Sequence, residues 1–425
     1  MNKVLIITYY WPPSGGAGVQ RWLKFTKYLP AYGWEPVVLT VDPDYAAYPA
    51  FDHSLSEDIP GSVKVVKTRA TDWFRVYGKS KVPSAGFAKN NDRKFTARLS
   101  RFIRGNFFIP DPRRGWNRHA IKKASELIER EGIKYIITTS PPHSTQLIGR
   151  NLKKKYPGLK WVADLRDPWT DIYYYRNFYP TIIPLIIDKH YEKSVLCDAD
   201  LIITVGNSLM EMFSLKHEGV REKSRVIFNG YDPDDFKGIE KIKPETFTIS
   251  YTGTLSPVYP LKSFLTVVAE LKERGKTIRL RFTGEVPAEI KNEINASSGA
   301  ENTEFNNYTD HISAIGKMMN SSALLLIIPD HESNTSIITG KIFEYLATGL
   351  PIICIGPVDG DASAIIAGYG NGMTFGYDDK EGILKFIESV ISGEFKCSDK
   401  PHIDIRRDCQ AKLLASLLEN TSKGN

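Results

Sequence analysis

The sequence predicts an α/β protein made of two tandem domains, each on an open parallel sheet. Three observations carry that expectation. Short β-rich apolar runs alternate with helical stretches along the chain. The alternation breaks once, at the polar stretch FNGYDPDDFKGIEKIKPET, and then restarts. The length, 425 residues, is also too great for one ordinary core. A strand-helix-strand rhythm calls for parallel strands covered on both faces. The expected domains are 1–230 and 231–404, with 405–425 a C-terminal helix that either domain can take, the first included.

In the first half, strands are read at KVLIITYY, EPVVLTV, VKVVKT, KYIITTS, KWVADLR, DLIITVG and RVIFNG. Helical segments between them include VQRWLKFTKYLPAYG, NRHAIKKASELIEREG and STQLIGRNLKKKYPG. In the second half, strands are read at FTISYTG, IRLRFTG, ALLLIIP and LPIICIG. Two such sheets with their strand ends at a shared cleft make a two-sided binding site.

Composition is that of a globular protein, with 42% hydrophobic and 25% charged residues. The opening MNKVLIITYYWPP has one lysine before its apolar run and enters Pro and Gly at once, so it reads as a buried strand and not as an export signal. Apolar segments fall short of the roughly 18–20 residues that cross a membrane, and a cytoplasmic location is expected. Cys197, Cys354, Cys397 and Cys409 show no C-x-x-C spacing and are expected to be buried free thiols.

The net charge of +7 is unevenly spread. Between residues 69 and 123, fifteen Lys and Arg stand against three acids, Asp72, Asp92 and Asp111. Inside that segment Phe95, Leu99, Phe102, Ile103 and Phe107 fall at helical spacing among Arg93, Lys94, Arg98, Arg101 and Arg104. A basic helix with such a stripe suits an anionic bilayer surface, which predicts a peripheral contact at the inner membrane face through residues 93–108. A helix docked on its own domain has the same pattern. No nucleic-acid motif accompanies the charge, and no nucleic-acid partner is expected.

Two motifs carry chemistry. PPSGGAGVQRW, residues 12–22, follows the first strand. Gly16 and Gly18 supply two glycines of G-x-G-x-x-G, but Arg21 takes the third place, and Asp42 is the acidic candidate after the second strand. The stretch reads as a weakened dinucleotide loop, another anion site at a helix start, or a plain turn. The second motif is TGKIFEYLATGLPIICIG, with Thr339 as the expected N-cap and Lys341 and Glu344 on one face of the helix start. A cation there suits a phosphate, and a carboxylate one turn on can accept from the vicinal hydroxyls of a ribose. The alternative is a solvated i,i+3 ion pair. Of the D-x-D pairs, only Asp42/Asp44 follows a strand as a metal site would; Asp198/Asp200 precedes one and Asp232/Asp234 sits in the linker.

These pieces, with TSPPHSTQLIGRNL, WVADLRDPW, DLIITVGNS, RVIFNGYDPDDF and YTGTL, run in the order found in bacterial glycosyltransferases of family 4, which the chain resembles over nearly its whole length. The resemblance implies the GT-B fold, two Rossmann-like domains with parallel sheets facing a central cleft. It also implies a hexosyltransferase-type enzyme of surface-polysaccharide synthesis, retaining and metal-independent, with a nucleotide-diphosphate sugar as co-substrate and no other cofactor.

By that resemblance Gly15, Gly16, Gly253, Thr254 and Glu344 hold the donor, and Lys341, read at the helix start, is assigned to it in place of the family's basic residues. Gly18, Arg21 and Arg166 are assigned to a glycan or lipid-linked acceptor, and Asp167, Lys341 and His143, the substitute near Ser140 where the family has a histidine, to catalysis. Ser336 stands where the family has a second glutamate, and only Lys262 is basic after the YTG strand. A sugar-nucleotide epimerase of the same fold and a non-catalytic nucleotide-sugar-binding subunit are the rival expectations.

Overall fold

The chain folds as two compact units, residues 1–228 with 407–425 and residues 229–406. A computed structural model describes residues 1–71, 95–298, 300–307, 309–399 and 402–423. Arg93 and Lys94 of the basic segment lie outside these.

The strands of the first unit are β1 (Asn2–Ile7), β2 (Trp34–Val41), β3 (Lys64–Thr68), β4 (Tyr135–Ser140), β5 (Lys160–Leu165), β6 (Leu201–Thr204) and β7 (Ser224–Val226). They pair in parallel in the order β3-β2-β1-β4-β5-β6-β7. Its helices are α1 (Ala17–Tyr28), α2 (Phe95–Phe107), α3 (Asn117–Glu131), α4 (Ser144–Lys155), α5 (Ile182–Asp198) and α6 (Asn207–Ser214).

Alternation along β1 divides the cores on the two faces of this sheet. Leu5 and Ile7 join Trp116, Ala120, Leu147 and Ile148 on one side, whereas Val4 and Ile6 join Trp22, Leu23 and Phe25 on the other. The helix read through residue 33 stops at Tyr28, because Pro30 starts a 3-10 turn, Leu29–Tyr32, which Gly33 closes at φ 81°.

In the second unit β8 (Phe247–Thr252), β9 (Ile278–Thr283), β10 (Thr303–Asn306), β11 (Ala323–Ile327), β12 (Ile352–Ile355) and β13 (Gly372–Phe375) form a parallel sheet. Its order is β10-β9-β8-β11-β12-β13. The helices are α7 (Lys262–Glu273), α8 (Ala288–Ser298), α9 (His311–Met319), α10 (Lys341–Thr348), α11 (Asp361–Tyr369) and α12 (Lys380–Ser392). One face packs Ile249, Leu280, Leu325 and Ile353 against α7 and α12.

The last helix, α13 (Arg407–Lys423), belongs with the first unit. Its Ala411, Leu414, Ala415 and Leu418 bury against Trp22 and Leu29, and Gln410 accepts a hydrogen bond from the Phe228 amide at 2.8 Å. Of the cysteines expected to be buried, Cys354 is, while Cys197, Cys397 and Cys409 are partly exposed; all four are free thiols.

A buried charge pair ties the first unit together. Arg21 of α1 meets Asp164 of β5 at 3.1 Å, with both side chains at or below 1% exposure. Asp164 also accepts from Trp22 Nε1 at 2.8 Å and Thr139 Oγ1 at 2.7 Å, and Arg21 donates to the Ile227 and Phe228 carbonyls. Helix α1, strands β4 and β5 and the chain after β7 thus share one buried polar cluster. Removing one partner leaves the other charge stranded out of water. Asp164→Ala is expected to cost the first unit about 3–5 kcal/mol, read as a lower urea midpoint for that unit with the second unit's transition in place.

Candidate functional site

Both sheets reverse strand order beside their first strand, between β1 and β4 and between β8 and β11. At such a point neighbouring loops run off in opposite directions and leave a crevice at the carboxyl ends of the strands. In the second unit those loops are the turn after β8, which begins at Gly253, and the connection from β11 to α10.

Gly253 sits at φ 116°, a conformation that favours glycine, and its amide donates to the Thr283 carbonyl at 2.7 Å. A Cβ on Gly253 would fall 2.5 Å from Lys341 Cε and 2.8 Å from Nζ. A Cβ on Gly284, at φ 127°, would meet the Gly253 carbonyl oxygen at 2.5 Å. The backbone turns after β8 and β9 therefore lie against each other, with the Lys341 chain laid over the first. Thr254, next along, is exposed and its carbonyl accepts from Tyr251 Oη at 3.1 Å.

Lys341 Nζ donates to Tyr251 Oη at 2.9 Å and lies 4.4 Å from the centre of that ring. Burial pushes the amine down to about 8, while Glu344 one turn on acts in the opposite sense. Glu344 itself is 17% exposed, and its Oε1 lies 3.6 Å from His311 Nε2, which in turn is 3.3 Å from Asp235 Oδ2. The pair is thus no solvated i,i+3 ion pair. The amine is sheltered against a glycine turn, and the carboxylate is half-enclosed beside an imidazole.

Thr339 does not cap α10 with its side chain. Gly340 holds the N-cap position with no side-chain bond, and the Thr339 hydroxyl is buried without a hydrogen-bond partner among the described residues. Ser336 turns back on the Ser333 carbonyl at 3.1 Å, and Lys262 begins α7 on the surface. His311, Asp235, Tyr251 and Gly284 were not singled out in the sequence. The matching ends SYTG and RFTG were the signal for Gly284, whereas Asp235 and His311 are far from Glu344 in the chain and carry no local pattern.

In the first unit, the glycine loop after β1 is held by its neighbours. Gly15 donates to the Ala50 carbonyl at 2.9 Å and packs beside Asp52, and Gly16 at φ 105° starts α1. The Gly18 carbonyl accepts from Arg166 Nη1 at 2.8 Å, and Arg166 Nε donates to the Ser140 carbonyl at 2.8 Å. Arg166 is 8% exposed, so it pins the loop to the end of β4. Arg21, expected at an acceptor, is enclosed with Asp164, because a charge that deep must be paired.

His143, assigned to catalysis, lies partly buried at the start of α4. Its ring stacks on Trp169, with centroids 4.9 Å apart, and burial pushes it down to about 3, so it is neutral and its Nδ1 lacks a hydrogen-bond partner among the described residues. Asp167 keeps a carboxyl group raised by burial, an effect that neighbouring Arg166 opposes. Asp42 spends its carboxylate on the Asp44 amide at 3.0 Å, Asp232 does the same for Asp234, and Asp200 pairs with Lys153 at 2.7 Å. Among the described residues, no group of three or more His, Cys, Asp or Glu is disposed to hold a metal ion.

Residues 232–404 match the family model described as "Glycosyl transferases group 1". No curated protein matches the sequence. Among solved structures, the chain is similar to a glycosyltransferase from Rickettsia africae, at 13% identity and TM-score 0.57 over 99% of this chain and 97% of that one. It is similar to the lipopolysaccharide outer core galactosyltransferase WaaB, at 14% identity and TM-score 0.56 over 100% and 99%. A putative UDP-N-acetylglucosamine 2-epimerase from Listeria monocytogenes is comparable, at 12% identity and TM-score 0.56 over 100% and 97%. At such identities the likeness is one of fold. The chain has the two Rossmann-like domains of GT-B structures, and its second unit, with the Gly253, Lys341 and Glu344 constellation, carries the match to group 1 glycosyl transferases.

Proposed function

We propose that this chain moves a sugar from a nucleotide-diphosphate donor to a lipid-linked glycan acceptor in surface-polysaccharide synthesis, retaining the anomeric configuration and using no metal ion. The observation that carries the reading is the Lys341 amine laid on the Gly253 turn, with Glu344 one helical turn away, inside the segment that matches the group 1 model.

In the transfer, the acceptor oxygen bonds to the anomeric carbon on the face from which the diphosphate departs, and the bond from that carbon to the diphosphate breaks. The proton of the acceptor hydroxyl passes to the departing phosphate oxygen. The electron pair leaves with the diphosphate, whose charge grows in the transition state. Lys341 and the amides at the start of α10 face that charge, and a well-placed donor of this kind typically lowers a barrier by about 3 kcal/mol. Glu344 accepts from the two ribose hydroxyls. In the first unit Asp167 is assigned to orient the acceptor hydroxyl, because no hydrogen bond reaches its carboxylate among the described residues. Turnover only when an acceptor is added separates transfer from epimerisation and from mere binding.

Glu344→Ala is expected to weaken sugar-nucleotide affinity roughly tenfold or more, about 1.4 kcal/mol, by titration calorimetry against UDP-, GDP- and dTDP-sugars. Unchanged affinity for a sugar nucleotide that the parent binds would remove Glu344 from the site.

The amine of Lys341 gives a second test. In the ligand-free protein carrying 13C-methylated lysines, one resonance should titrate near 8, well below the 10.5 of an ordinary lysine, and vanish in Lys341→Met. A cation is lost as pH rises through that value. Diphosphate affinity should accordingly fall between about pH 7 and 9 in the parent and lose that slope in the variant.

A further inference from the structure

In its N-terminal half, helix α5 turns apolar side chains outward. Its inner face buries Asp188 and Glu192. Asp188 accepts from Trp169 Nε1 and Tyr175 Oη, both at 2.8 Å, and Glu192 accepts from Thr170 Oγ1 and Lys216 Nζ, both at 2.6 Å. Its outer face presents Ile182, Ile183 and Ile186, exposed by 75%, 71% and 61%. Lys189 and Lys193, both exposed, continue the stripe of Ile182 and Ile186 at helical spacing.

Helix α2 is fastened beside that apolar end. Asn106 Oδ1 accepts from both the amide and the hydroxyl of Thr181, at 2.8 Å each, and its Nδ2 donates to the Tyr179 carbonyl at 3.0 Å. Gly105 permits the approach, since a Cβ there would strike the Phe178 carbonyl. Exposed Phe107 follows the clamp residue Asn106 on α2 as Ile182 follows Thr181 at α5, with exposed Leu99 and Phe102 further along α2 and Arg98 over the Tyr179 ring at 5.8 Å. Residues 95–107 contain no acid. Both helices therefore expose apolar side chains and cations, while Asp188 and Glu192 of α5 turn inward.

We propose that this composite α2–α5 face seats on an anionic lipid bilayer, the isoleucines and Phe107 entering the headgroup boundary while Arg98, Lys189 and Lys193 meet lipid phosphates. Charge selects this occupant: a second copy of the chain would bring cations against cations, whereas an anionic surface complements them. The contact lies on the surface, because no helix among the described residues is long and apolar enough to cross a membrane. The inference deepens the lipid-linked acceptor proposed above, and its test is separate from nucleotide binding.

The full chain is floated with vesicles of phosphatidylcholine, with and without phosphatidylglycerol. Binding is expected only with phosphatidylglycerol, with release as salt rises. Ile182→Ser/Ile183→Ser/Ile186→Ser should cut the bound fraction roughly tenfold, and Lys189→Glu/Lys193→Glu several-fold. Both variants should keep the parent's melting temperature and sugar-nucleotide affinity, since their sites are exposed. Failure to bind phosphatidylglycerol vesicles at low salt, full binding by the triple-serine variant, or a solution dimer that this variant dissolves would each overturn the assignment. Loss of nucleotide affinity in Glu344→Ala has no bearing on it.

Discussion

Parallel pairing is the constraint on which the rest of this molecule depends. Strands that run the same way need a crossover after each one, and the loops that open those crossovers gather at one edge of the sheet. In the second unit, order reverses between β8 and β11, so the Gly253 turn and the segment leading into α10 border the same crevice. Lys341 reaches the turn because glycine stands at 253, and the turn after β9 lies against it because glycine stands at 284. A sheltered amine and a half-enclosed carboxylate follow from that close backbone approach.

Buried charge shapes the first unit. Arg21 occupies the place where a dinucleotide fingerprint has its third glycine, and it holds α1 to β5 through Asp164. Arg166 then ties Gly18 to the end of β4. The glycine-rich stretch is thus an anchored loop, tied by Arg166 and by the helix that Arg21 holds to β5. The same need to satisfy buried polar groups draws the carboxylates of α5 inward, onto Trp169, Tyr175, Thr170 and Lys216. The outer face of that helix is left to its isoleucines.

Much of the architecture was legible because period and composition act locally. The seven strands of the first sheet and four of the second stand out as apolar runs, most clearly the inner strands, which are covered on both faces. The two that did not stand out, β10 and β13, are four-residue edge strands of the second sheet. TEFN and GMTF set polar residues or glycine among few apolar ones, so they lack the continuous apolar signal. Lys341 and Glu344 were legible as a helical pair, while their partners Tyr251 and His311 come from other segments and share no sequence spacing with them.

The amino-acid sequence alone determined the two parallel-sheet units, the basic helix α2 and the residues at the start of α10, because hydrophobic period and charge spacing are properties of neighbours in the chain. Tertiary structure alone decided that Arg21 is an internal tie, that His143 is a neutral ring on Trp169 and that α5 shows isoleucine to water. Each of those outcomes depends on which distant group arrives to desolvate or satisfy a side chain, and chain order does not encode that arrival locally.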